Sequence, residues 1–131
     1  MAKLIQAITE FGPRLSLGRT AQTAEIAELI AARTSMNPGE IANALSEFQA
    51  ALLFFAKQGS PVKLEGLGTF TPTIDLEGTL DVGFRLDTAI DGALNVPGAF
   101  KGDVHNRENV GKTSAELKAL WNTKHPTDPI P

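Results

Sequence analysis

Residues Gly59 to Phe70 read Gly-Ser-Pro-Val-Lys-Leu-Glu-Gly-Leu-Gly-Thr-Phe, and this stretch sets the punctuation for everything around it. Gly59 and Pro61 stop a helix, since one tolerates left-handed backbone and the other cannot continue a helical ladder. Val62, Leu64 and Phe70 are strand residues, and Gly66-Leu67-Gly68 between them predicts a strand-reversing turn. The change from helical to strand periodicity at Gly59 places helices before it and a small antiparallel sheet after it, an α+β chain.

Upstream, Asn37 is a good N-cap, Pro38 suits the first helical position, and Glu40 stands where a capping-box carboxylate reaches back to the cap's backbone N–H. The predicted helix runs to Lys57 with an apolar stripe of Ile41, Ala44, Leu45, Phe48, Leu52 and Phe55. Its last turns add Ala51, Leu53, Phe54 and Ala56 on the other side, and a helix apolar all round is buried all round. A second subunit is the expected cover, with Phe48, Leu52, Leu53, Phe54 and Phe55 as candidate dimer contacts. The alternative is that the chain's own sheet covers both sides. Ile26, Leu29 and Ile30 mark a shorter amphipathic helix opening at Thr23, with Thr23 as its expected cap. Lys3 to Phe11, broken by Gly12 and Pro13, is expected as a strand or extended arm.

Downstream, Thr69 to Ile74 continues as strand, and Pro72, which has no N–H to donate, marks an edge or bulge. Gly78 supplies the turn, and Leu80, Val82, Phe84 and Leu86 alternate strictly in a return strand. Ala89, Ile90, Ala93 and Leu94 fall at helical spacing behind a candidate cap, Asp87. Asn95 to Lys112 is expected as loop. Thr113 with Glu116 makes a second capping box, opening a closing helix with Leu117, Leu120 and Trp121 on one face, which ends before Pro126. The expected organisation is an N-terminal strand or arm over 1–20, a core domain over 21–94, and a loop with a C-terminal helix over 95–131.

The succession of helix, capped helix and Val-Lys-Leu-x-Gly-x-Gly-x-Phe resembles the bacterial HU and integration host factor family of histone-like DNA-binding proteins. The resemblance rests on Thr23-Ala24-Glu25-Ile26 opening the first helix, Thr34-Ser35-Met36-Asn37 at the interhelical turn, Gly59 to Phe70, and Phe84 to Leu94 (FRLDTAIDGAL), which is similar to the family's closing helix. It covers a little over half the chain. It implies an HU-like helical hairpin plus antiparallel sheet in an intertwined homodimer, with two long basic β-arms that embrace the minor groove and kink it. The chain departs from this pattern in its arm. Only 13 residues separate Phe70 from Phe84, so a shortened β-arm is expected, and no proline stands at a tip position. Residues 61–100 also hold Lys63 and Arg85 against Glu65, Asp75, Glu77, Asp81, Asp87 and Asp91, a local net charge of -4.

The whole chain of 131 residues carries a net charge of -3, so no global field draws in a polyanion and any nucleic-acid contact must be local. Counterion release from phosphates scales with the cations that reach them. The candidate DNA-binding cations are Lys3, Arg14, Arg19, Lys63, Arg85, Lys101, Arg107 and Lys112. Zero cysteines exclude a disulfide framework, thiolate metal sites and a cysteine nucleophile. Gly111-Lys112-Thr113 lacks the upstream glycine and strand of a phosphate-binding loop, Gly66-Leu67-Gly68 leads into a strand instead of a helix, and His105 and His125 are not at ligand spacing. No serine stands in a nucleophile elbow.

The expectation is therefore a non-enzymatic protein without metal or cofactor, binding double-stranded DNA as a homodimer. The competing reading is an HU-fold homodimer that has lost DNA binding and serves as a structural or protein-interaction module. The longest apolar run, Ala50 to Ala56, is far short of the roughly 20 residues of a membrane span, and a cytoplasmic location is expected, nucleoid-associated if the protein binds DNA.

Overall fold

The structure is a computed structural model and describes residues 2–131. In chain order the elements are α1 (Leu4–Phe11), β1 (Arg14–Ser16), α2 (Thr23–Arg33), α3 (Pro38–Lys57), β2 (Val62–Leu64), β3 (Gly68–Ile74), β4 (Leu80–Leu86), α4 (Thr88–Leu94), β5 (Asp103–His105), a 3-10 turn (Arg107–Asn109) and α5 (Ser114–Lys124). They divide into two compact units: a central one, Thr20–Phe100, and a terminal one built from the segments up to Arg19 and from Lys101 onward.

In the central unit α2 packs against α3. The α3 start follows its cap chemistry, with Asn37 Oδ1 accepting from the Glu40 N–H at 2.8 Å. The reciprocal bond differs from expectation: Glu40 Oε1 accepts from the Asn37 side-chain amide, also at 2.8 Å, because asparagine offers a nearer donor than its own backbone. At α2 the cap position is Gln22, not Thr23; the Gln22 carbonyl already accepts from the N–H groups of Glu25 and Ile26, so Thr23 lies inside the helix.

The sheet order is β2-β3-β4, all antiparallel. Beyond Phe70, β3 is flanked by β4 alone, which is where Pro72 sits, paired in register with Val82. Strand alternation sorts the side chains into two faces. The inner face holds the rows Val62–Phe70–Phe84, Leu64–Gly68–Leu86, Pro72–Val82 and Ile74–Leu80. Phe48 of α3 lies on Phe70 with ring centroids 5.9 Å apart, and Phe70 on Phe84 at 4.7 Å. Yet Ala27 and Ile41 are the only hydrophobic residues of this unit that are fully buried among those described.

The terminal unit has its own core, in which Ala2, Ala7, Leu117, Trp121 and Ile130 cluster with Phe11 and Leu120. Here the structure corrects two expectations. Lys3–Phe11 is not a strand but contains the helix α1: Leu4, Ile5, Ile8 and Phe11 recur at helical spacing, and buried Ala7 lets α1 approach α5 closely. Within Asn95–Lys112, expected as loop, β5 pairs antiparallel with β1 in the register Arg14–His105, Leu15–Val104 and Ser16–Asp103. The 3-10 turn that follows is fastened by side-chain amides. Asn106 donates to the carbonyls of Glu10 and Gly12, and buried Asn109 to that of Phe11, at 2.7–3.0 Å. At the far end Trp121 Nε1 donates to the Asp128 carbonyl at 2.8 Å, and the Asp128 carboxylate accepts from the Ala2 N–H at 2.8 Å.

Candidate nucleic-acid interface

The register that turns Phe70 inward turns Thr69 outward, and it aligns a row straight across the sheet: Lys63 on β2, Thr69 on β3, Arg85 on β4. Two interstrand spacings put the Lys63 and Arg85 backbones about 10 Å apart on one polar face. Thr71, Thr73, Gly83 and Asp81 complete that face, with Thr71 opposite Gly83 and Thr73 opposite Asp81. Every threonine hydroxyl can donate to a phosphate oxygen, and the two cations sit at the strands' outer edges, where a backbone can be reached from either side. Lys63 Nζ lies 3.9 Å from Glu65 Oε1, but both side chains are well exposed, so the pair is loose and easily exchanged for another anion. No carboxylate forms an ion pair with Arg85 among the described residues. Beside it a shallow pocket of about 260 Å³ is lined by Gly68, Thr69, Arg85, Leu86, Asp87 and Thr88.

The acidic residues that make the segment net negative are mostly elsewhere. Glu65 is in the β2–β3 turn, Asp87 and Asp91 belong to the start of α4, and Asp75 and Glu77 are in the β3–β4 loop. Asp75 is a loop fastener: its carboxylate accepts from the N–H groups of Glu77 and Thr79 at 2.9 and 2.8 Å, while Asp87 caps α4 through the Ala89 N–H at 2.8 Å. Only Asp81 lies on the outer face, at its distal end. The local sum of -4 therefore overstated the acidity of this face, because a count along the sequence ignores which way a strand residue points. The same alternation is the signal that could have singled out Thr69, Thr71 and Thr73, which the sequence reading passed over.

The other six candidate cations lie in the terminal unit: Lys3 at the start of α1, Arg14 on β1, Arg19 after β1, Lys101 before β5, Arg107 in the 3-10 turn and Lys112 ahead of the Thr113 cap. Arg14 stands opposite His105, and its Nη1 donates to the Thr9 carbonyl at 2.9 Å. Of the candidate dimer contacts, Phe48 and Leu52 are half-buried, while Leu53, Phe54 and Phe55 are 54%, 57% and 44% exposed. Leu53 joins Ala56, Lys57, Pro72, Leu80, Asp81 and Val82 around a mostly apolar hollow of about 210 Å³. No group of three or more metal-ligating side chains exists among the described residues, and no helix is long and apolar enough to cross a membrane.

Two helices, an interhelical turn and a three-stranded sheet with its Gly-x-Gly-x-Phe reversal thus occupy the central unit. Residues 6–83 match the family described as HU domain fused to wHTH, Ig, or Glycine-rich motif, HU-HIG. The chain belongs to the HU-HIG family. A search of curated proteins finds no match. HU domains are histone-like DNA-binding folds, and the HU-HIG match ends at residue 83, within β4, while α5 and the 3-10 turn lie wholly beyond it.

Proposed function

We propose that this HU-HIG protein binds double-stranded DNA without catalysis, as a homodimer, through phosphate contacts made by the outer face of β2-β3-β4. The observation that carries the reading is the Lys63–Thr69–Arg85 row on a face whose other side chains are uncharged except Asp81. Such a face offers cations and hydroxyls to phosphates and little to base edges, so it favours shape over sequence. The hairpin β3–β4 turns after Ile74, which supports contact by the sheet surface and not by a long embracing arm. Homodimerisation is supported by the inner face. Leu53, Phe54, Phe55, Leu80 and Phe84 remain substantially exposed in one copy, and Leu53 and Leu80 line one apolar hollow, the kind of surface that a second copy would cover.

The test is fluorescence anisotropy of a labelled duplex, with a nicked or kinked version beside it, at about 50 and 200 mM salt. Saturable binding that weakens steeply with salt, and that falls in Lys63→Gln and Arg85→Gln, is expected. A protein-interaction module is the second reading, favoured by the β3–β4 loop: Leu76 is wholly exposed, 102%, between Asp75 and Glu77. An absence of binding at the lower salt selects that reading.

A further inference from the structure

Charge is divided unequally between the two units. The central unit holds Arg33, Lys57, Lys63 and Arg85 against ten acids, a net -6. The terminal unit holds eight cations against Glu10, Asp103, Glu108, Glu116 and Asp128, a net +3. Three of those five acids are occupied inside the unit. Glu10 binds Lys124 Nζ at 3.0 Å and His125 Nε2 at 2.8 Å, Asp128 takes the Ala2 N–H, and Glu116 closes the Thr113 cap. Of the remaining cations, Arg107 stands in the 3-10 turn, next to Glu108, and Lys112 shortly after it. The Asn106 and Asn109 clamps hold the 3-10 turn on the α1–β1 corner, so Arg107 lies beside the corner from which Arg14 projects, and Lys112 follows three residues after the turn ends. Arg107 and Lys112 are exposed and form no ion pair among the described residues.

We infer that this corner of the terminal unit, Arg14 with Arg107 and Lys112, is a second contact for the phosphates of duplex DNA, independent of the sheet face. The inference rests on the DNA-binding reading above and extends it to a unit in which α5 and the 3-10 turn fall wholly outside the matched HU region. Physically, the central unit's sheet can hold a phosphate but its -6 works against the approach of a polyanion at long range; a +3 unit in the same chain offsets that repulsion and adds its own counterion release. Arg14 is braced by the Thr9 carbonyl through one nitrogen, which leaves the rest of the guanidinium to donate.

The experiment is the salt dependence of duplex binding by the full chain, comparing wild type, the pair Arg107→Gln with Lys112→Gln, and the pair Lys63→Gln with Arg85→Gln. All four positions are exposed, and a circular-dichroism melt confirms that each variant folds as wild type. Loss of two phosphate contacts is expected to reduce the slope of log affinity against log salt by about 2 in the terminal pair, with affinity at low salt down at least tenfold. A terminal pair with wild-type slope and affinity, beside a sheet pair that loses both, overturns this inference and leaves the sheet reading standing. Wild-type protein that does not bind the duplex at low salt overturns both.

Discussion

Gly68 is where the sheet's geometry is most sharply required. A Cβ there would overlap the Arg85 carbonyl oxygen and lie 2.6 Å from the Phe84 ring, so β3 approaches β4 only because this position has no side chain. Gly68→Ala is expected to lower the urea midpoint, by an amount equivalent to about 1–3 kcal/mol at fixed protein concentration, and to displace Arg85 from the outer row. Among single residues, Glu10 gives the clearest pH dependence. Its hydrogen bond to His125, then that to Lys124, hold its carboxyl below the usual carboxylate value. A depressed folded value contributes stability above the unfolded value, and that stability disappears as pH falls through the folded one. The protection factor of the Ala7 amide, with the intrinsic pH dependence of exchange divided out, is therefore expected to fall as pH drops below the usual carboxylate value, and Glu10→Gln is expected to flatten that profile. Sequence reading found neither role: Gly68 was legible as a turn glycine, but the strand it faces depends on the register of β4, and Glu10 meets partners 114 and 115 residues away.

At the scale of elements, legibility followed the range of the interactions that form them. The α3 cap, the α5 cap, the β4 alternation and the α4 cap are local, and each was readable from a few neighbouring residues. The helix α1 was misread because eight residues give barely two periods, and its decisive feature, a small buried Ala7 against α5, lies in contact with the other end of the chain. The strand β5 is three residues long and pairs with residues near position 15, so no local pattern announces it. In α3 the helix itself was legible, and the structure leaves Leu53, Phe54 and Phe55 without a full cover in one copy. Phe54→Asp is expected to convert a dimer to monomer or aggregate in analytical ultracentrifugation, since a carboxylate in an apolar interface is strongly penalised. An unchanged dimer removes Phe54 from the contact.

The whole molecule is an HU-like unit whose two ends lead into a second, cationic unit assembled from both terminal segments. Because α1 rests on α5, neither segment keeps its apolar face covered without the other. Deleting residues 114–131 is expected to abolish more far-UV helical signal than the α5 residues alone contribute, while the central unit's helices persist. The candidate site was half legible at this scale: the eight candidate cations were all visible, but that Lys63 and Arg85 share one sheet face while the other six belong to the terminal unit depends on tertiary pairing.

That division has an optical consequence. The chain contains one tryptophan, Trp121, and no tyrosine, and Trp121 stacks on His125 at 3.9 Å inside the terminal unit. Indole fluorescence therefore reports on that unit alone, and phenylalanine is the only aromatic chromophore of the HU-like unit. A tryptophan melt, or quenching on adding duplex, becomes a private signal from the cationic end, while far-UV dichroism averages over both; disagreement between the two curves would measure how independently the units unfold.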